Sequence, residues 1–191
     1  MNSMSLFRQY CGVVLVLLSA SVNITQAAPS DPGSSGPTNE VPPIALRDLS
    51  GEYVFLSSFC YPGPVDQKKP RSIVVLDFMA TDCKPCIEKL PTFLRVVGEY
   101  TNKTVRPFLV ATDPFSKQDE VHALVKEMGV KCGVLLDPYQ VASQKLGVAK
   151  AGVLTIPRTV VISPTGRIVA CLSGGEKFES ELRAAINSAR E

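Results

Sequence analysis

Tryptophan is absent from this chain, histidine occurs once, at His122, and neither sign of charge prevails. Each scarcity excludes something. Structural zinc needs four ligands, and one histidine with no second close cysteine pair cannot supply them. A copper carrier wants a histidine near its cysteines, and His122 lies far along the chain from any CxxC. Lys plus Arg number 20 against 18 Asp plus Glu, a net charge of +2, which gives no footing for nucleic acid or an anionic surface. The one basic cluster, Lys68 to Arg71, reads as a solvated loop. Apolar runs long enough to cross a membrane are scarce too. A membrane span needs ~20 mainly apolar residues, and the N-terminal stretch is diluted by Ser19, Ser21, Asn23 and Gln26. No internal repeat is visible.

What is present begins with an export signal. Arg8 lies in a short polar lead, Val13 to Leu18 form an apolar centre, and small residues follow. Thr25 and Ala27 fit a cleavage site after Ala27, so residues 1–28 are assigned to the signal, with an uncleaved anchor as the alternative. In that alternative the membrane is touched only through this segment. Cys11 precedes the apolar centre, so no lipid-attachment signature surrounds it. Residues 29–43, rich in Pro, Ser and Gly, form a flexible linker. The remainder, 44–191, is long enough for one domain with a substantial core, working in the periplasm or elsewhere outside the cytoplasm, where disulfides persist.

Within that domain strand and helix patterns alternate. Glu52 to Phe59 alternates weakly; Ser72 to Ala80 is a continuous apolar run expected of a strand buried on both faces. Ile87, Leu90, Leu94 and Val97 recur at helical spacing, interrupted by Pro91. "VRPFLVATD" is the next strand, and a helix follows with Ser116 as cap and Gly129 as stop. "CGVLLD" is short and extended, and Asp137-Pro138 opens a helix ending near Gly147. "RTVVIS" and "RIVACLS" pair around "PTG", and a last helix carries Phe178, Leu182 and Ile186. The order predicts an α/β fold, a central mixed sheet with helices on both faces.

Cys83 and Cys86 stand where the apolar strand gives way to a helix. The free N–H groups of a helix start favour a thiolate at Cys83, and Lys84 adds a positive charge nearby. Cys86, one turn on, is placed to resolve a mixed disulfide, and Pro85 restricts the backbone between them. An inert structural crosslink remains the plain alternative, although so short a loop gains little entropic stability.

The stretch "VVLDFMATDCKPCIEKLP" resembles the active-site segment of the thioredoxin superfamily, with Asp77 six residues before Cys83 and Pro91 five after Cys86. "GVLTIPRTVVISPTGRIV" is similar to the second landmark of that family. The resemblance implies a thioredoxin-like fold, a cis Ile156-Pro157 bond lying against the cysteines, and a role for Pro157 and Ile156 in receiving the partner chain. The "ALRDLSGEYVFLSSF" lead-in and the insertion before Pro157 resemble the TlpA/ResA-like branch of exported thiol–disulfide oxidoreductases. Membership implies protein disulfide or dithiol substrates, a membrane-bound thiol reductase as electron donor, and an envelope process such as cytochrome c maturation. The Cys83–Cys86 disulfide would be the sole redox group, with no separate cofactor and no metal. It also implies that Asp77 relays a proton for the second cysteine, its carboxyl desolvated between Leu76 and Phe78. Asn is expected there in the branch, and tryptophans are expected where Met79 and Asp82 stand. Asp82 therefore brings a negative charge to the edge of the site, opposing Lys84, and is expected to tune potential or partner choice.

Cys60, Cys132 and Cys171 complete the set. Cys171 is expected to be buried and free; Cys60 is able to pair with Cys132 only if the fold brings them together. Asn102 to Thr104 matches a glycosylation sequon. Two other functions compete with disulfide exchange. A peroxidase on this fold would want a threonine three residues before its cysteine, whereas Thr81 is two before Cys83. A non-catalytic metal chaperone or docking module is the other.

Overall fold

The computed structural model describes residues 40–63, 70–100 and 104–190. The export signal, residues 29–39 of the linker, Lys68 and Lys69 of the basic cluster and the start of the sequon lie outside them.

Two short strands come first, β1 (Ala45–Asp48) and β2 (Tyr53–Phe55), antiparallel to each other. The expected strand over Glu52 to Phe59 is shorter than predicted, because Leu56–Ser58 turn into a 3-10 helix that buries Leu56. β3 (Ile73–Met79) is buried along its whole length, as its unbroken apolar run requires. Then follow α1 (Lys84–Gly98), β4 (Val105–Ala111), α2 (Gln118–Glu127), β5 (Gly133–Leu136) and α3 (Val141–Lys145). A two-residue hairpin, β6 (Ala149–Lys150) and β7 (Val153–Leu154), precedes β8 (Arg158–Ile162), β9 (Ile168–Ser173) and α4 (Phe178–Ser188).

The main sheet has seven strands in the order β2-β1-β5-β4-β3-β8-β9. β3, β4 and β5 run parallel, and β1, β8 and β9 are antiparallel to their neighbours. Alternation along β3 divides the core. Ile73, Val75 and Met79 face one side with α1, α2 and α4, whereas Val74, Leu76 and Phe78 face the other with α3 and the 3-10 turn. Asp77 falls on the first face, an acid among apolar neighbours.

Several expectations need correction. α2 begins at Gln118 after a 3-10 turn over Phe115–Lys117, so Ser116 is no cap; Gly129, at φ 61°, does end the segment. The helix expected from Pro138 starts at Val141. Gln140 is left-handed, and the buried Asp137 reaches forward to accept from the backbone N–H of Ala142 and Ser143 at 3.1 and 2.8 Å. A side chain that the sequence offers as a helix-opening pair with Pro138 instead caps the helix from several residues away. In α1 the buried stripe is Cys86, Lys89, Leu90, Phe93, Val96 and Val97, rotated from the expected Ile87, Leu90, Leu94 and Val97. Pro91 sits on the exposed side, where its missing N–H does not stop the helix. The β6–β7 hairpin has no counterpart among the expected elements. Its loop, Ala151-Gly152, has both residues at positive φ, the conformation of a tight hairpin turn.

Candidate active site

Cys83 occupies the N-cap of α1 with extended backbone, and its carbonyl accepts from the N–H of Cys86 and Ile87 at 3.0 and 3.1 Å. Pro85 lies in the first turn, where its lack of an N–H costs nothing. The two sulfurs are joined in a Cys83–Cys86 disulfide across a Cα separation of 5.3 Å. The halves differ in access: Cys83 is partly exposed and Cys86 is buried. An incoming thiol or disulfide therefore meets Cys83 first. The first-turn N–H groups and the helix dipole favour negative charge on its sulfur.

The turn carrying Cys83 is fixed to the end of β4. The N–H and hydroxyl of Thr81 donate to the buried Asp113 carboxylate at 2.9 and 2.5 Å, and the N–H and hydroxyl of Thr112 both donate to the Met79 carbonyl. Asp113 was not anticipated from the sequence. The Asp82 carboxylate, exposed, is met by the Lys117 ammonium at 3.4 Å, and Lys84, also exposed, leans toward Glu88 at 3.9 Å. Both expected tuning charges thus have partners and stand in solvent, where screening weakens them.

One turn along α1 from Cys86 the picture is different. Asp77 is buried, its Oδ1 bonded by the Lys89 ammonium and by the Thr159 hydroxyl at 2.6 Å. Lys89 Nζ also donates to Thr159 Oγ1 at 2.9 Å and lies 4.7 Å from the centre of the Phe178 ring. Asp77 Oδ2 is buried without a hydrogen-bond partner. Burial pushes the Asp77 carboxyl above the usual carboxylate range; the Lys89 charge and the bonds from Lys89 and Thr159 pull the other way. Lys89 and Thr159 were both missed. Thr159 is the register partner of Asp77 across β3 and β8, and Lys89 is one helical turn beyond Cys86. Lys89 lies off the stripe expected from the sequence and enters the buried face only because α1 is rotated from it.

The Ile156-Pro157 peptide is cis. Pro157, Ile156, Pro85, Lys89 and Arg158 share the wall of a groove of about 620 Å³ beside the cysteines. Gly174 closes its far side, and a Cβ there would come within 3.1 Å of Pro157. The groove thus joins the CxxC turn, the cis proline and the buried ion pair.

The remaining cysteines stand apart from this arrangement. Cys60 and Cys132 are free and belong to apolar clusters on opposite faces of the sheet, so they are not paired. Burial pushes both thiols up to about 11. Cys171 is exposed, contrary to expectation, because β9 is an edge strand and alternation turns that position outward. Among the described residues no group of three His, Cys, Asp or Glu could hold a metal ion, and no helix is long and apolar enough to cross a membrane.

A model of the AhpC/TSA family matches residues 25–171. The chain belongs to this family. A thiol-disulfide oxidoreductase named ResA, from Bacillus thuringiensis (strain Al Hakam), is 26% identical over 169 residues, covering 87% of this chain and 88% of the relative. Among solved structures, the thioredoxin domain of a thiol-disulfide oxidoreductase from Bacteroides vulgatus superposes with a TM-score of 0.60 at 20% identity, over 80% of this chain and 100% of that one. A thiol:disulfide interchange protein from Chlorobium tepidum TLS gives 0.60 at 17% identity, over 81% and 97%. The fold of this AhpC/TSA member is thioredoxin-like.

Proposed function

We propose that this protein is an exported thiol–disulfide oxidoreductase that works as a reductant of other proteins outside the cytoplasm. The observation that carries the reading is the asymmetric Cys83–Cys86 disulfide, one sulfur reachable and one buried, at a helix start beside the groove of the cis proline. The similarity to the relative named thiol-disulfide oxidoreductase ResA supports the same chemistry.

In the reduced form the Cys83 thiolate attacks a sulfur of the partner's disulfide, forming a mixed disulfide and releasing one partner thiol. Cys86, losing its proton, attacks Cys83 Sγ, re-forming the Cys83–Cys86 bond and releasing the second thiol. Two electrons pass to the partner, whose two released thiolates are protonated, one by the proton that Asp77 relays from Cys86 and one from solvent, and no further cofactor is needed. Asp77, its carboxyl raised by burial, takes the proton from Cys86, with Lys89 and Thr159 holding its Oδ1. Pro157 and Ile156 shape the groove for the partner chain, and Asp82, Lys84 and Pro85 adjust the turn. A membrane-bound thiol reductase recharges the pair, and the N-terminal segment brings the protein to its compartment.

Equilibration with a glutathione buffer tests the direction of electron flow. We expect a potential nearer that of thioredoxin, about −270 mV, than that of the strong periplasmic oxidants, about −120 mV. A value at the oxidising end rejects the reductant role, and hydrogen peroxide consumption without insulin reduction rejects disulfide exchange in favour of a peroxidase. A Cys86→Ser variant, retaining the exposed nucleophile, should trap mixed disulfides on Cys83.

A further inference from the structure

The chemistry requires a partner sulfur to touch Cys83, but a stable protein contact covers about 800 Å² per side. The partner must therefore rest on surface beyond the disulfide. Along α1 the flank is charged and solvated, with Lys84 and Glu88 exposed. On the side away from the cis-proline groove, at the ends of β4 and β5, the flank is aromatic. Phe115 sits in the turn after Asp113, and that turn is held against the CxxC tip by the Thr81–Asp113 bonds and the Asp82–Lys117 pair. Phe115 meets Tyr139 edge-on at 5.7 Å. Six large hydrophobic side chains are exposed among the described residues, and four of them, Tyr53, Phe115, Tyr139 and Val141, line one groove of about 430 Å³ floored by Leu136 and Pro138. A fifth, Phe55, neighbours Tyr53 at 6.4 Å. Tyr139, 74% exposed, stands fully in solvent. Such clustering is unlike the scattered single hydrophobics of an ordinary surface.

We propose that this aromatic groove is a second docking surface for the disulfide-bearing partner protein, beyond the cis-proline groove, receiving an extended segment with an aliphatic or aromatic side chain near its cysteine. The proposal rests on the oxidoreductase reading and names the kind of substrate it takes. Its Phe115 end is carried by the turn bonded to Thr81 and Asp82, the two residues that precede Cys83. Its aromatic rims supply large contact area at low ordering cost, and the tyrosine hydroxyls offer hydrogen bonds to an extended backbone. Arg47, 4.9 Å from the Tyr53 ring centre, keeps that ring in place from beneath. The groove also gives physical meaning to Asp82. With a charged residue beside the nucleophile, apolar recognition is displaced to the neighbouring Phe115 turn.

The test compares two substrates. Insulin presents a protein disulfide with apolar flanks; glutathione disulfide is too small to reach the groove. A Phe115→Ser/Tyr139→Ser double variant should lower the ratio of kcat/KM for insulin to that for glutathione disulfide about tenfold, through KM, as expected when interface aromatics are lost. Val153→Ser, at the exposed hydrophobic position outside the groove, should keep the wild-type ratio. Circular dichroism and Tm establish that each variant is folded, and single Phe115→Ser and Tyr139→Ser variants replace the double if it is not. An unchanged ratio overturns the docking surface while leaving the oxidoreductase reading intact. A wild-type protein that reduces neither substrate overturns both. A wild-type dimer in light scattering that the double variant makes monomeric assigns the groove to a second copy, and loss of binding to phosphatidylglycerol vesicles assigns it to lipid; either result overturns the proposal.

Discussion

The Asp77–Lys89 pair joins two groups that water would hold strongly, in a place from which water is excluded. Removing one partner of a buried pair leaves the other uncompensated, at a cost of about 3–5 kcal/mol, whereas removing both is far gentler. Lys89→Met should therefore lower urea-unfolding stability by about 3 kcal/mol, and Asp77→Asn/Lys89→Met should recover much of it. A loss in the double variant equal to the sum of the losses in Asp77→Asn and Lys89→Met would show that the pair contributes no coupling. The same variant separates a catalytic contribution from a structural one. With the ammonium gone, burial acts on the Asp77 carboxyl less opposed; under the proposed proton relay, one limb of the pH–rate profile should move to higher pH in Lys89→Met and vanish in Asp77→Asn. Cys83, Cys86, Pro157 and Asp77 were legible because each is announced by its immediate sequence neighbours. Lys89 and Thr159 were not. What brings them to Asp77 is the register of β8 against β3 and the rotation of α1, and neither is local.

At the level of elements, α1 and α4 are tied by an exposed ionic network. Glu179 accepts from Arg95 at 2.8 and 2.6 Å and from Arg183 at 3.1 Å, and Arg183 also grips Glu99. The bonds from Arg95 and Arg183 hold the Glu179 carboxyl at about 2. A depressed folded pKa contributes stability that is fully present above the ordinary glutamate value and is lost as pH falls through the folded value. The Tm advantage of wild type over Glu179→Gln should thus be constant above pH 5, shrink between about pH 4.5 and pH 2, and decrease in high salt. A gap that persists at pH 2 would mean that packing, not charge, joins the helices. Element type followed the apolar patterning where runs were long, as in β3, and failed where a side chain or a turn set the boundary. The sequence around Asp137-Pro138 looked like a helix start, but the acid caps from a distance and Gln140 is left-handed. Two-residue strands such as β6 and β7 are too short to show any period.

Across the whole molecule, the sheet separates two apolar clusters that share its strands but not its helices. Phe93 belongs to the α1 side and Cys60 to the other. If both faces unfold as one unit, damage to one is felt on the other. Phe93→Ala should cost about 3–5 kcal/mol and speed iodoacetamide labelling of Cys60 by about a hundredfold or more, although the two residues lie on opposite sides of the sheet. Labelling that stays at the wild-type rate would reveal two independently opening layers. The mixed sheet with helices on both faces was foreseeable because alternating strand and helix patterns leave few ways to bury every apolar face. The exposure of Cys171 was not, because strand order decides which strands are edges and pattern alone does not state it.

The bonds from Thr81 to Asp113 and from Thr112 to Met79 rivet the reactive tip to two parallel central strands at once. A nucleophile so anchored behaves like an anvil: gaining or losing electrons should leave its backbone where it was. The yielding must then come from the visitor, which favours clients whose disulfides lie in loose or still-unfolded loops over those locked inside finished domains.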